Sequence, residues 1–179
     1  KGEFNARVNR LAHALQAAGV KKGDRVAVLL ANTHVYLEIL QALCKIGGVM
    51  VPLNFRLAAP ELEFILNDSE PIMLVYSPEF LPLVEGLRGM VPSVKQFVCE
   101  LAGGAVGDKE YEDWVANRSE EEPTPDSEVT YDDPEFIMYT SGTTGKPKGA
   151  VVLQGNIQWN CINSVPIYSF SHADVQMVC

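Results

Sequence analysis

Apolar positions along the first hundred residues switch between two periods. Phe4, Val8, Leu11, Ala12, Leu15 and Ala18 recur at helical spacing, and Gly19 stands where such a helix would end. Arg25 to Leu30 is a short apolar run of strand length. Asn32 or Thr33 can cap a second helix carrying Val35, Ile39, Leu40, Leu43 and Ile46, which Gly47 and Gly48 stop. Val49 to Leu53 reads as the next strand. Pro60 suits the first turn of a helix burying Leu62, Ile65 and Leu66, and Asn67, Asp68 and Ser69 read as its break. Ile72 to Tyr76 and Lys95 to Cys99 are strands again, with a helical stretch from Pro78 to about Leu87 between them. Strands apolar throughout, separated by helices, predict an α/β fold in which a parallel sheet lies between two helical layers, with right-handed crossovers.

The pattern weakens after Cys99. Gly103 to Asp108 reads as a loop, and Tyr111 to Ala116 as one or two helical turns. Residues 120–133 are rich in acid and proline without apolar periodicity, which predicts an exposed, solvated connection. Phe136 to Tyr139 reads as a short strand and Ala150 to Leu153 as another. Val175 to Cys179 reads as a strand with no turn after it, so the chain is expected to be a piece of a longer protein.

Between those two later strands lies the most informative stretch, Tyr139-Thr140-Ser141-Gly142-Thr143-Thr144-Gly145-Lys146-Pro147-Lys148-Gly149. Glycines let a backbone approach a ligand closely, and successive N–H groups in such a turn form an anion-binding concavity. Hydroxyls add donors, and Lys146 and Lys148 add charge. A Walker A loop does not fit. Thr140 stands where its first glycine belongs, Pro147 stands where its Ser or Thr belongs, and a strand rather than a helix follows. On the residues alone, a polyphosphate cradle, a nucleotide- or anion-binding module without catalysis, and a polar hairpin loop with no ligand all remain open.

Tyr139 to Gly149 resembles the signature of the adenylate-forming (AMP-binding) enzymes: acyl- and aryl-CoA synthetases, luciferase-type enzymes and peptide-synthetase adenylation domains. Arg7 to Ala12, Gly23 to Ala27 and Gly47 to Asn54 are similar to that family's N-terminal blocks, in the same order. The resemblance covers nearly the whole chain and is weakest over residues 101–133. It implies that residues 1–179 are the N-terminal portion of an adenylation domain, an incomplete parallel-sheet αβα unit, with the phosphate loop at 139–149. Val51 to Leu57 is more like the acyl-CoA synthetases, which implies a carboxylic acid activated toward coenzyme A. A fatty acid is the first expectation and an aryl acid the second; a peptide-synthetase domain is the remaining family alternative.

The resemblance further implies ATP, Mg2+ and coenzyme A as reactants. It implies that Thr140, Ser141, Gly142, Thr143, Thr144 and Gly145 hold the β- and γ-phosphates, with Lys148 adding charge. It assigns no catalytic residue and no metal ligand within this stretch, so the chain alone is expected to be inactive. One departure stands out. Where the family runs Ser/Thr-His-x-Asn, this chain has Leu153-Gln154-Gly155-Asn156, without the hydroxyl and the imidazole.

Composition narrows the partners. A hydrophobic fraction of 47% with 21% charged residues is ordinary for a globular protein. The net charge of −9 argues against nucleic acid and against an anionic membrane surface, which need clustered cations. No apolar run reaches the roughly 18 residues of a membrane span, and a cytoplasmic setting is expected. The four cysteines form no C-x-x-C pair and read as free thiols; His13, His34 and His172 lack metal-ligand spacing. Ala150 to Leu153 and Val175 to Cys179 are edges through which copies of the chain are expected to associate.

Overall fold

Runs of four or five apolar residues suffice to cross a sheet, and in the computed structural model they do so. The structure describes residues 2–140 and 146–168, the side chains of 165–168 excepted. Helix α1 (Gly2–Ala17) precedes β1 (Arg25–Leu29). Then come α2 (His34–Ile46), β2 (Val49–Pro52), α3 (Ala59–Ser69) and β3 (Met73–Tyr76). A 3-10 turn (Pro78–Phe80) leads into α4 (Leu81–Leu87) and β4 (Gln96–Cys99). The short β5 (Lys109–Glu110) and α5 (Tyr111–Val115) follow, and the described chain ends with β6 (Pro134–Thr140), β7 (Lys148–Leu153) and α6 (Gln154–Tyr168). The residues expected to form a strand at 175–179 lie outside the described residues.

The strands form one sheet in the order β5-β4-β3-β1-β2-β6-β7. Neighbours are parallel from β5 to β6, and β7 alone runs antiparallel, against β6. Successive strand residues point to opposite faces, so β1 divides cleanly. Val26 and Val28 pack with α1, α2 and α5, whereas Ala27 and Leu29 pack with α3 and α4. The layers predicted from the alternation are therefore present. The expected parallel sheet is present from β5 to β6, and β7 adds an antiparallel strand at one edge, exposed from Lys148 to Val151. A hairpin return needs only a short loop, whereas a parallel crossover needs a dozen residues or more.

Local signals worked as expected at α2. Gly47 takes φ 74°, and the Gly48 N–H donates to the Leu43 carbonyl at 2.9 Å, closing the helix. A side chain at Gly47 would be strained there. At the other end Thr33 occupies the cap position, but its hydroxyl makes no capping bond. It donates instead to Glu100 Oε1 at 2.5 Å.

Two further readings are revised. Asn67, Asp68 and Ser69 do not break α3; they form its last turn. Asn67 donates to the Met90 carbonyl at 3.1 Å and Ser69 to the Ile65 carbonyl at 2.6 Å, so partners inside the fold absorb polar groups that would otherwise favour a turn. Residues 120–133 are largely exposed but docked rather than loosely solvated. The polar face of α1 holds their backbone: Asn9 donates to the Glu120 carbonyl and Gln16 to the Thr124 carbonyl, both at 2.7 Å. Lys22 donates to the Glu128 carbonyl at 2.6 Å, and Lys45 pairs with Glu122 at 2.6 Å.

Candidate functional site

The residues expected to form a phosphate loop begin where β6 ends. β6 runs parallel to β2, so its C-terminal end opens on the same side as the C-terminal ends of β1 to β4. Ligands of open α/β sheets bind at that side, preferentially where the strand order reverses. Here the reversal falls between β1 and β3, and the chain fills it with its own carboxylate. Glu100, 6% exposed, accepts from Thr33 at one oxygen and from Ser77 Oγ at the other, each at 2.5 Å. The hairpin between β6 and β7 reaches the same side of the sheet, and its loop is the stretch expected from the sequence to bind an anion. Among the described residues, three shallow surface depressions lie around Arg88 and the 100–110 loop at the opposite edge of the sheet and one beside Tyr131 and Gln154.

The hairpin register pairs Thr140 with Lys148 and Tyr139 with Gly149. Thr140 and Lys148 are thus brought face to face as the stems of the loop, and both are exposed. Ser141, Gly142, Thr143, Thr144 and Gly145 lie outside the described residues. Lys146 is exposed, and its ammonium sits 5.8 Å from the centre of the Phe64 ring on α3. Tyr139 turns toward the α3 layer and its hydroxyl donates to Asp68 Oδ2 at 2.5 Å. Burial, reinforced by that carboxylate, pushes the Tyr139 phenol well above its ordinary pKa, so it stays a donor. Gly149 is required by this arrangement, because a Cβ there would lie 2.8 Å from Ile137 Cγ2 and 3.1 Å from Tyr139 Cζ.

Gln154, which stands where the family has histidine, and Asn156, which matches the motif, hold the base of the hairpin. Gln154 donates through its side chain to the Cys44 carbonyl at 3.3 Å, near the open C-terminal end of α2. Asn156 Oδ1 accepts from the Leu153 N–H at 2.9 Å, tying β7 to the start of α6. Neither residue titrates. Next to β6 in the sheet, the segment after β2 exposes Phe55, stacked on Phe80 at 5.8 Å, with Arg56 over the Phe55 ring. Among the described residues no three His, Cys, Asp or Glu side chains are grouped closely enough to hold a metal ion.

Sequence reasoning missed Asp68, Glu100 and Glu135. Glu135 sits in a bulge of β6, 6% exposed, and burial raises its pKa. Each is a single acidic residue near an apolar stretch, and only the fold reveals what it faces.

The family model described as AMP-binding enzyme matches residues 2–179. The chain belongs to that family. It is 44% identical over 161 residues to a feruloyl-CoA synthase of Amycolatopsis sp., covering 90% of this chain and 29% of that protein. It is 40% identical over 151 residues to the long-chain-fatty-acid–CoA ligase FadD13 of Mycobacterium tuberculosis, covering 83% and 28%. Among solved structures, a putative long-chain-fatty-acid CoA ligase from Rhodopseudomonas palustris superposes with a TM-score of 0.85 at 30% identity, over 96% of this chain and 42% of that one. The seven-stranded, mostly parallel sheet is therefore the fold of this AMP-binding chain. It spans about three-tenths of the length of the curated relatives it matches. No helix among the described residues is long and apolar enough to cross a membrane.

Proposed function

We propose that the whole protein activates a carboxylic acid with ATP and transfers the acyl group to coenzyme A. This chain contributes the loop that holds the ATP β- and γ-phosphates. In the first half-reaction a carboxylate oxygen attacks the α-phosphorus, the bond to the bridging oxygen breaks, and pyrophosphate leaves. In the second, the thiol sulfur attacks the acyl carbon, AMP leaves, and the thiol proton passes to solvent or base. The observation that carries the reading is the pairing of Thr140 with Lys148 at the C-terminal side of the sheet. Their separation leaves a seven-residue loop of Ser, Gly, Thr, Thr, Gly, Lys and Pro, rich in donors and able to approach an anion. Such a loop works by positioning and neutralising charge rather than by covalent chemistry. The 179 residues by themselves are proposed to lack activity.

The acid is a fatty acid in the first reading. The second reading, an aryl acid, is favoured by the 44% identity to a feruloyl-CoA synthase. Acid-dependent exchange of labelled pyrophosphate into ATP by the whole protein, with long-chain and aromatic acids compared, separates the two. Replacing Thr143 and Thr144 with valine removes hydroxyl donors at nearly constant volume. Adenylate formation is expected to slow about tenfold or more per lost bond, while thiolysis of preformed adenylate changes little. Equal slowing of both halves would refute a role confined to the β- and γ-phosphates.

A further inference from the structure

Two cations at the far edge of the sheet lack a carboxylate partner. β4 and β5 both begin at the N-terminal side of the sheet, at the edge away from the β6–β7 hairpin. Lys95 stands just before β4, and Lys109 opens β5. With Arg88, Gln96, Gly107 and Asp108 they line an open depression of about 410 Å3.

The acidic groups on the flanking elements are engaged elsewhere. Asp108 accepts two bonds from the Arg88 guanidinium, at 2.8 and 2.9 Å, and one from the Tyr76 hydroxyl at 2.5 Å. Glu85 accepts from Arg88 Nε at 2.9 Å. Glu110 turns to the start of α5, where it accepts from the Glu112 and Asp113 N–H groups. Lys95 donates instead to the Pro92 carbonyl and Lys109 to Gln96 Oε1, each at 2.5 Å, and both acceptors are neutral. Among the described residues neither ammonium forms an ion pair. Gln96 is itself fixed, its amide donating to the Ala18 carbonyl at 2.7 Å, so Lys109 is held in place. Burial, together with the nearby Arg118 charge, pushes the Lys109 pKa below the ordinary lysine value. Like charges beside one depression repel each other unless an anion lies between them. The chain has 23 Asp and Glu against 14 Lys and Arg, so carboxylates to pair with these lysines are not scarce.

We propose that this depression binds a small phosphate-bearing anion through Lys95 and Lys109. The Arg88 fork, which would match a planar carboxylate in two bonds, is already spent on Asp108. What remains are ammonium groups, point charges whose three donors rotate to meet a tetrahedral oxyanion. Two cations suit a single phosphate group rather than a polymer backbone, which needs many. The site lies at the opposite edge and the opposite side of the sheet from the β6–β7 hairpin, so it stands independently of the reading given to residues 140–145.

The test is limiting reductive methylation of the whole protein, read lysine by lysine by mass spectrometry. Sodium phosphate is compared with sodium chloride at equal ionic strength. Phosphate is expected to slow modification of Lys95 and Lys109 together by about threefold or more, saturating in about the millimolar range. Lys22 and Lys45, already paired with Asp133 and Glu122, are expected to change no more than they do in chloride. Lys109→Gln should raise the phosphate concentration that half-protects Lys95 by about tenfold, and Lys95→Gln should do the same for Lys109. Lys95 is exposed and outside the strands, so its substitution tests the site even where Lys109→Gln fails to fold. Equal slowing in chloride, protection spread over all four lysines, or protection of one lysine that survives loss of the other overturns the proposal. Protection by malonate at the same or lower concentration than phosphate overturns the assignment to phosphate.

Discussion

Replacing Glu38 with alanine is expected to destabilise the chain by about 3 kcal/mol, and the structure says why. Glu38 on α2 is 1% exposed. Its carboxylate accepts from Arg7 Nε at 2.6 Å, from Arg7 Nη2 at 3.2 Å and from the Tyr111 hydroxyl at 2.7 Å, joining α1, α2 and α5. Truncation orphans the Tyr111 hydroxyl, whose residue is fully buried, at about 1–3 kcal/mol. Arg7 fares better. It keeps Glu112 at 2.6 Å and its side chain is about a quarter exposed, so its share is about 1 kcal/mol. The total sits at the low end of the roughly 3–5 kcal/mol for breaking a buried ion pair. With a urea m-value of about 2 kcal/mol/M, the midpoint falls by about 1.5 M. Adding Tyr111→Phe removes the orphan, so the double variant should cost less than the sum of the singles. A Glu38→Ala midpoint within about 0.25 M of the parent, or strict additivity in the double variant, would refute the reasoning.

Two other predictions follow from groups the fold leaves in unusual surroundings. No ion pair or side-chain hydrogen bond to Glu135 is found among the described residues, and burial raises its pKa. The folded state therefore holds its proton more tightly than the unfolded state, and stability is lost as pH rises from the ordinary glutamate value of about 4.3 through the raised one. Glu135→Gln should stabilise the chain at pH 7.5 and flatten that loss, and a thermal melt that keeps the parent's pH slope would contradict the assignment. Met138, Val151, Trp159 and Ile162 are all roughly half exposed or more along β6, β7 and α6, so the 179-residue chain is expected to self-associate, which light scattering over a concentration series checks; a monomer at every concentration would refute it.

How much of this was legible depended on whether a residue's role was local. The strands β1 to β4 announced themselves because burial on both faces requires unbroken apolar runs. β5 gave no such signal. It is a lysine and a glutamate paired to Val98 and Cys99, and Lys109 gains its place from Gln96 and the Trp114 ring. The family signature at residues 139–149 could be read because glycine spacing and hydroxyl density are written in adjacent residues. Its support could not, since Asp68 is separated from Tyr139 by 71 positions. The docking of residues 120–133 was hidden for the same reason, because side chains of α1 bind a backbone whose own side chains carry no pattern.

The order of the strands also sets an order of assembly. β1, β2, β3 and β4 each pair with a strand one or two helices away in the chain, whereas β2 meets β6 through Met50 and Phe136, roughly 85 positions apart. Closing that loop costs about 1 kcal/mol more in chain entropy than closing the loop between β1 and β2. The β6–β7 hairpin forms its own ladder locally but has nothing to lie against until β2 and α3 are in place. Among the described strands, the hairpin that leads into and out of residues 141–147 is thus expected to dock last. By the same topology its loss would leave the other five strands of these residues paired as before.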